Sequence, residues 1–221
     1  MGGLEGLTEE QETQLVYTCQ MREILPGIFT WSLLSEPHGY DFNGTLVVHS
    51  EGNLCIDPVE PNTEDLRELV RRGVSRILIT NRNHTRGAKQ VREETGAEIV
   101  IHPEDAGYAR DQAVEIGAEL AIGDRIGPFV VIACPGKSPG EVAFHDEARG
   151  LLLVGDAVIG NPPGRLSLLH EKVMDDPSLL RASVRRLLDL EFDIILVGDG
   201  VSLEGGARQR LEELVAGFSD D

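Results

Sequence analysis

Residues 80–86 of this chain carry a dense run of polar and basic side chains directly after an apolar segment that predicts a buried strand. The run contains two amides, Asn81 and Asn83, an imidazole, His84, and a guanidinium, Arg86. Amide and guanidinium groups donate hydrogen bonds, and such donors suit an anionic or carbonyl-bearing small molecule. The run therefore predicts a binding loop between a strand and a helix.

Four more polar residues stand at the ends of predicted strands. Asp57 ends an apolar run, Lys137 follows another within a Pro-Gly segment, and Asp156 and Asp199 each follow a Val-Gly pair. Lys137 is one of only three lysines among the 20 basic residues, which makes its placement worth weighing. Each of these residues also has a purely structural interpretation, since Asp in particular is frequent in turns.

The elements that must position these residues follow from the hydrophobic pattern. The first half alternates strands and helices, which predicts a parallel or mixed sheet with helices on its outer face. A helix is expected after Asn62 or Thr63, with Leu66, Leu69 and Val70 facing inward. Further strands are predicted at 31–34, 44–49, 54–57, 76–80, 98–101 and 193–197. Further helices are predicted at 87–95, from Pro103, from Asp176-Pro177 and at 205–217. Two strand pairs are also predicted, 118–122 with 127–134 across residues 123–125, and 141–145 with 151–154.

Composition limits the classes of partner and compartment. The 221 residues carry a net charge of −18, which disfavours nucleic acid and anionic membrane surfaces as partners. The acidic first 21 residues lack a signal-peptide pattern, and no apolar run is long enough to cross a bilayer. Three cysteines indicate reduced thiols in a cytoplasmic protein. We predict an acidic lead-in at 1–21 and a single domain at 22–221.

Five short motifs occur in the order that is typical of the metallo-β-lactamase superfamily, and the chain resembles that family over residues 22–216. The motifs are residues 54–58, 80–86, 133–140, 152–157 and 195–200. The resemblance implies an α/β (α+β) fold, a four-layer αββα sandwich in which two mixed β-sheets lie face to face with helices on the outer faces. Any one of these motifs is weak evidence by itself. Five of them in order, each at the end of a predicted strand, make the resemblance specific.

The resemblance also implies where metal ligands would stand, and most of these positions hold other residue types. The histidine positions hold Asn81, Asn83, Arg86, Lys137 and Asp199, the aspartate position of the second motif holds Thr85, and only Asp156 keeps the family's ligand type. A two-zinc hydrolase needs about five or six histidine and carboxylate ligands. We therefore expect no di-zinc site and no cofactor, and we hypothesise that Arg86, Lys137, Asp156 and Asp199 form an ion-pair cluster in its place.

Two residues near this cluster receive structural interpretations. Asp57 stands where the family has an aspartate that supports the site from below, so we assign it structural support. His84 stands at the variable position between second-motif ligands, and we favour a solvent-facing histidine over a ligand there.

Three functions remain open after this reasoning. The first is a metal-free binding or regulatory module for a small anionic or carbonyl ligand. The second is a hydrolase that uses a single divalent metal held by Asp156 and Asp199, with His84 as a further ligand. The third is a metal-independent catalyst in which Lys137 is the nucleophile or base. We rank them in that order, with Lys137 and Asp156 as the candidate catalytic residues and the oligomeric state open.

Overall fold

Two β-sheets form the centre of the fold in the computed structural model, which describes residues 21–218. The first sheet has seven strands and the second has five. The strands are β1 Arg22–Leu25, β2 Ile28–Ser35, β3 Tyr40–Val47, β4 Leu54–Ile56, β5 Arg76–Ile79, β6 Glu98–Ile101 and β7 Ala118–Glu119 in the first sheet, and β8 Arg125–Ile126, β9 Phe129–Ala133, β10 Val142–Asp146, β11 Leu151–Leu153 and β12 Ile194–Leu196 in the second.

Both sheets are mixed, as the sequence predicts. In the first sheet the strands follow chain order, with antiparallel pairs from β1 to β4 and parallel pairs from β4 to β7. In the second sheet β8 to β11 form antiparallel pairs, and β12 lies parallel to β11 at the edge. The carboxyl ends of β4, β5, β11 and β12 are therefore followed by loops on which the polar motifs stand.

Between residues 21 and 218, five α-helices cover the two sheets. Their starts follow capping chemistry, because the Asn62 side chain accepts hydrogen bonds from two backbone N–H groups and the Asp176 side chain accepts one from Leu179. The helices are α1 Thr63–Arg72, α2 Ala88–Thr95, α3 Pro103–Asp111, α4 Pro177–Leu187 and α5 Ala207–Ala216, and a short 3-10 turn spans Glu171–Val173. Within residues 21–218, no helix has the length and apolar character needed to cross a membrane.

Three apolar clusters hold the layers together and confirm the predicted αββα sandwich. The inner cluster joins the facing sides of both sheets, with Phe129 and Phe144 at a centroid separation of 6.0 Å in its middle. A second cluster packs the first sheet against α1–α3. A third packs the second sheet against α4 and α5. Each sheet is thus buried on both faces, which fixes its strand ends firmly.

The predicted pairing of residues 118–122 with 127–134 is wrong. Ala118 and Glu119 instead extend the first sheet along β6, and the chain then crosses to the second sheet. The hairpin there joins β8 to β9 through Gly127 and Pro128, with Gly127 at φ +57°. Two-residue hairpin loops favour a residue with positive φ, which Gly127 supplies. Residues 123–125, predicted as the turn, instead lead into β8.

The face assigned to α1 is also corrected in part. Leu69 is fully buried, whereas Val70 is 45% exposed. Asp65 takes an inward position, where its carboxylate accepts a hydrogen bond from the Met21 backbone N–H at 2.6 Å. The lead-in predicted at 1–21 lies outside the described residues except for Met21, and it stays a prediction.

Gly44 offers a test of the close packing between β2 and β3. It lies opposite Trp31, and a Cβ atom at Gly44 would come within 2.4 Å of the indole ring. The Trp31 indole N–H donates to the Val59 carbonyl oxygen, so the ring cannot move away freely. We expect Gly44→Ala to lower the free energy of unfolding by about 1–3 kcal/mol in urea titrations.

Gly107→Ala is the matched control, because Gly107 lies inside α3 and, apart from its chain neighbours and the backbone of its own helix, no atom stands within 4 Å of its Cβ position. We expect Gly107→Ala to raise the free energy of unfolding by about 0.4–1 kcal/mol. Equal losses in both variants would contradict the packing argument.

Candidate functional site

The site is built on Asp57, which ends β4 and joins it to the polar loop after β5. Asp57 has φ +47°, a conformation that is uncommon for a residue with a side chain. Its carboxylate accepts hydrogen bonds from the Thr80 backbone N–H at 2.8 Å and the Thr80 hydroxyl at 2.5 Å. The predicted supporting position of Asp57 agrees with this geometry, since Asp57 fixes the start of the 80–86 loop.

His84 is fully buried, so the expectation of a solvent-facing histidine is wrong. The loop turns back after β5, where the His84 backbone N–H donates to the Asn81 carbonyl oxygen, and this turn carries the imidazole under the strand end. Nδ1 of His84 lies 2.8 Å from Asp57 Oδ2, and Nε2 lies 3.1 Å from Asp156 Oδ1. The ring therefore bridges two buried carboxylates.

This bridge alters the acid–base chemistry of His84. Burial alone would lower the pKa of His84, but the carboxylates of Asp156 and Asp57 outweigh it and raise the pKa to about 10. Both ring nitrogens then carry protons at neutral pH, and each donates to one carboxylate. His84 thus acts as a buried cation.

Lys137 reaches the same aspartate from the segment after β9. Its ammonium Nζ lies 3.2 Å from Asp156 Oδ2 and donates a hydrogen bond to Asn83 Oδ1. Burial would raise the pKa of Asp156, whereas His84 and Lys137 lower it well below its usual range. Asp156 is therefore an anion held between two cations.

Arg86 and Asp199 form the second ion pair of the site. Arg86 Nη2 lies 3.0 Å from Asp199 Oδ1, and the guanidinium carbon lies 3.8 Å from the centre of the Phe42 ring. Burial, followed by the charge of Asp156, raises the pKa of Asp199, and Arg86 opposes that rise. The structure thus places Arg86, Lys137, Asp156 and Asp199 in one cluster, as hypothesised.

Two other predicted site residues have different surroundings. The Asn81 amide donates to Glu141 Oε1 at 3.3 Å, and its oxygen accepts from the Asn83 backbone N–H at 2.9 Å, so Asn81 organises the loop. The Thr85 hydroxyl donates to Gln112 Oε1 at 3.1 Å. Thr85 is therefore engaged with the end of α3, not with the ion-pair cluster.

Glu141 is a site residue that the sequence reasoning missed. It is 1% exposed, and its Oε1 atom accepts hydrogen bonds from the Asp156 backbone N–H and the Asn81 amide, while Oε2 is buried without a hydrogen-bond partner. Burial and the neighbouring Asp156 raise the pKa of Glu141 well above its usual value. The only sequence signal for Glu141 is a charged residue that directly precedes an apolar strand.

Asp105 was also missed, and it ties two site loops to α3. Its side chain is fully buried and accepts hydrogen bonds from the Arg82 backbone N–H at 2.9 Å, the Ser138 hydroxyl at 2.5 Å and the Gly140 backbone N–H at 3.0 Å. These bonds connect the 80–86 loop to the segment that carries Lys137. Nothing in the local sequence distinguishes Asp105 from the acidic residues that are common in the first turn of a helix.

The assembled site has a balanced set of charges and one group of possible metal ligands. Three cations, His84, Arg86 and Lys137, face three carboxylates, Asp57, Asp156 and Asp199. His84, Asp156 and Asp199 each offer one ligand atom, and these atoms lie within 4.8 Å of one another. This trio is the set of residues at the site from which a metal centre could be built.

Comparison with known proteins identifies the scaffold. Residues 21–218 match the family model described as the metallo-beta-lactamase superfamily. A hydroxyacylglutathione hydrolase of Cereibacter sphaeroides is 35% identical over 136 residues, which cover 56% of this chain and 51% of that protein. The chain thus spans about half the length of the curated relatives it matches.

Solved structures agree with the family match at the level of the fold. A metallo-beta-lactamase from Pontibacter korlensis superposes with a TM-score of 0.73 at 16% identity, covering 90% of this chain and 99% of its own. The protein TTHA1623, solved in a di-iron-bound form, superposes with a TM-score of 0.62 at 25% identity, covering 81% of this chain and 96% of its own.

The buried imidazolium predicts a pH dependence of stability. The pKa of His84 is about 10 in the fold and 6.5 as its ordinary value, so the folded state binds more protons between these values. The contribution of His84 is then complete below pH 6.5 and is lost as the pH rises toward 10. We expect the free energy of unfolding to fall on the order of 3 kcal/mol from pH 6.5 to 9.5 in urea titrations.

His84→Gln is the matched variant, since an amide keeps a hydrogen-bond donor but does not titrate. It should be less stable than the natural protein at pH 6.5 and should lose most of the slope between pH 6.5 and 9.5. An unchanged slope in His84→Gln would show that other groups cause the pH dependence.

Asp105 predicts a second measurable effect. Asp105→Asn replaces one acceptor oxygen by an amide that faces N–H and O–H donors, so at least one buried donor loses its partner. We expect a loss of about 2 kcal/mol in the free energy of unfolding. The exposed Asp111→Asn on the same helix should change stability by less than about 0.5 kcal/mol, and a similar loss in both variants would argue against a special role for Asp105.

Proposed function

Because the chain belongs to the metallo-β-lactamase superfamily, we propose that it keeps the scaffold of these proteins and carries, in place of a two-metal centre, a metal-free ion-pair cluster that binds a small anionic or carbonyl-bearing molecule. One observation carries this proposal. Lys137 and Arg86 lie 3.2 Å and 3.0 Å from the carboxylates of Asp156 and Asp199, so cations of the protein itself neutralise these groups.

The residues present do not fit a two-metal centre. Such a centre needs about five or six histidine and carboxylate ligands, and only three groups among residues 21–218 at this site, His84, Asp156 and Asp199, are placed to share an ion. Both nitrogens of the His84 imidazole already face carboxylates, at 2.8 Å and 3.1 Å. A divalent ion bound to Asp156 and Asp199 would also stand beside an ammonium and a guanidinium, and like charges repel strongly where water is excluded.

A role in ligand binding has support from the donors at the edge of the cluster. Asn83 is exposed beside Lys137, and Arg86 is partly exposed beside Asp199. The rigid strand ends behind these groups hold them in place before a ligand arrives, which lowers the entropy cost of binding. We also propose a cytoplasmic location, with support from the free, buried thiols of Cys55 and Cys134.

A single-metal hydrolase is the second candidate function. The trio of His84, Asp156 and Asp199 favours it, because their ligand atoms lie within 4.8 Å of one another. The name hydroxyacylglutathione hydrolase of the matched relatives gives further support for a hydrolase. Two oxygen ligands to one nitrogen would favour a harder ion than zinc. The alternative of Lys137 as a nucleophile has less support, since its ammonium is committed to Asp156 and Asn83.

Elemental analysis tests the metal-free proposal. The chain is purified without chelator, incubated with zinc, manganese and iron salts in separate samples, desalted and analysed by mass spectrometry. We expect much less than one ion per chain in every sample. Stoichiometric metal that disappears in Asp156→Ala would overturn the proposal and support the single-metal hydrolase.

A variant with restored ligands is the positive control for this experiment. It combines Asn81→His, Asn83→His, Thr85→Asp, Arg86→His and Lys137→His. We expect it to retain zinc after desalting, because the scaffold of the superfamily is intact. Zinc retention by both proteins, lost from both with Asp156→Ala, would again contradict the metal-free proposal.

A further inference from the structure

Arg86 has one hydrogen-bond donor that the protein does not use. Its Nη2 atom binds Asp199, whereas Nη1 is buried without a hydrogen-bond partner among the described residues. Buried donors without acceptors are rare in native proteins, and they often mark a place where another group binds. The unused donor points to an acceptor atom supplied from outside the chain.

Three partly or fully exposed rings form a cluster, and one of them, Phe42, contacts Arg86. The ring wall consists of His38, Tyr40 and Phe42 on the hairpin between β2 and β3, with ring centroids separated by 5.5–6.1 Å. Phe42 underlies the Arg86 guanidinium at 3.8 Å, and His38 is held by a hydrogen bond between its Nδ1 and the Ser35 hydroxyl at 2.7 Å. Aromatic rings pack on one another in offset or edge-to-face arrangements, so a further flat ring can pack on this cluster.

The hairpin is fastened to the charged site. The Asn43 backbone N–H donates to the Gly198 carbonyl oxygen, and the Gly200 N–H donates to the Asp41 carbonyl oxygen, each at 2.7 Å. Two further bonds run from the Asn43 amide to Val197 and Gly200. The ring wall and the Asp199 loop therefore keep a fixed relation, which a binding site requires.

The charges around Arg86 disfavour an anionic ligand. Arg86 is already neutralised by Asp199, Lys137 is paired with Asp156, and the carboxylate of Asp57 lies behind them. No unpaired cation remains among the described members of the cluster, and the whole chain carries a net charge of −18. A neutral acceptor, such as a carbonyl oxygen, can use the Nη1 donor without this repulsion.

We propose that the ring wall and Arg86 form a binding site for an uncharged aromatic carbonyl compound. The aromatic ring packs on His38 and Tyr40, and the partly exposed Arg86 side chain turns its Nη1 donor outward to the carbonyl oxygen. This inference rests on the proposed metal-free function, and it selects the carbonyl ligand over the anionic one.

Matched small molecules test the ligand class by titration calorimetry. The probes are 2-naphthamide, 2-naphthoate and cyclohexanecarboxamide. 2-Naphthamide has both an aromatic ring system and a neutral carbonyl group. 2-Naphthoate has the rings but a charged carboxylate, and cyclohexanecarboxamide has the neutral carbonyl group without an aromatic ring. We expect 2-naphthamide to bind about tenfold more tightly than either of the others. Equal or tighter binding of 2-naphthoate overturns the neutral-ligand inference, and equal binding of cyclohexanecarboxamide overturns the role of the rings.

Variants locate the binding site. Arg86→Lys keeps the charge beside Asp199 but removes the unused donor, and Tyr40→Leu removes one ring of the wall. Each should weaken the binding of 2-naphthamide about five- to tenfold. The controls are Arg72→Lys, whose guanidinium also lies 3.8 Å from a ring centre, and Tyr108→Leu, whose ring contacts Arg82. Equal losses in variants and controls would overturn the assignment.

The metal experiment and the ligand experiment test the two proposals separately. A metal-free protein that binds none of the probes contradicts the aromatic carbonyl ligand and leaves the metal-free site standing. A protein that holds stoichiometric metal contradicts the proposed function, whatever the probes do. Arg86→Lys should keep its thermal unfolding midpoint close to that of the natural protein, and a large drop would mean that Arg86 acts through stability rather than binding.

Discussion

The removal of Asp57, Asp156 and Asp199 from water is the constraint on which the rest of the site depends. A buried carboxylate without a partner costs several kcal/mol, so each of the three must be neutralised or bonded. TTHA1623, which has this fold, was solved in a di-iron-bound form, so metal ions supply positive charge in that protein. Here His84, Lys137 and Arg86 supply the positive charge from side chains. A change at one of these residues alone would leave a buried charge without a partner.

The fold holds these charged side chains in fixed positions. Sheets buried on both faces hold the strand ends rigidly, and the side chains that brace the loops, such as Asp105 and Glu141, are themselves buried. Asp105 joins the first loop to the Lys137 segment, and Glu141 joins it to Asp156. Charged groups held in this way lose little entropy on pairing, which stabilises the network.

The sequence predicted the sandwich well because its signals are local and repeated. Apolar runs, the caps at Asn62 and Asp176 and the motif order each indicate the same architecture. The wrong predictions fall where the local sequence is compatible with two different structures. Either Gly123 or Gly127 could turn the chain between residues 118 and 134, and only the partner strands of the two sheets decide between them. Val70 follows the helical period as well as Leu69, yet the neighbouring layer covers only Leu69.

By itself, the sequence determined the scaffold and the identities of the residues at its strand ends, since both follow from periodicity and motif order. The tertiary structure decided which partners these residues have. His84 illustrates the difference, because its type and position indicate a surface residue, while the turn after β5 brings it between Asp57 and Asp156. Asp105 and Glu141 gained their roles in the same way. Hydrogen bonds and ion pairs act between atoms 3 Å apart, and the distances between residues distant in sequence exist only after the chain has folded.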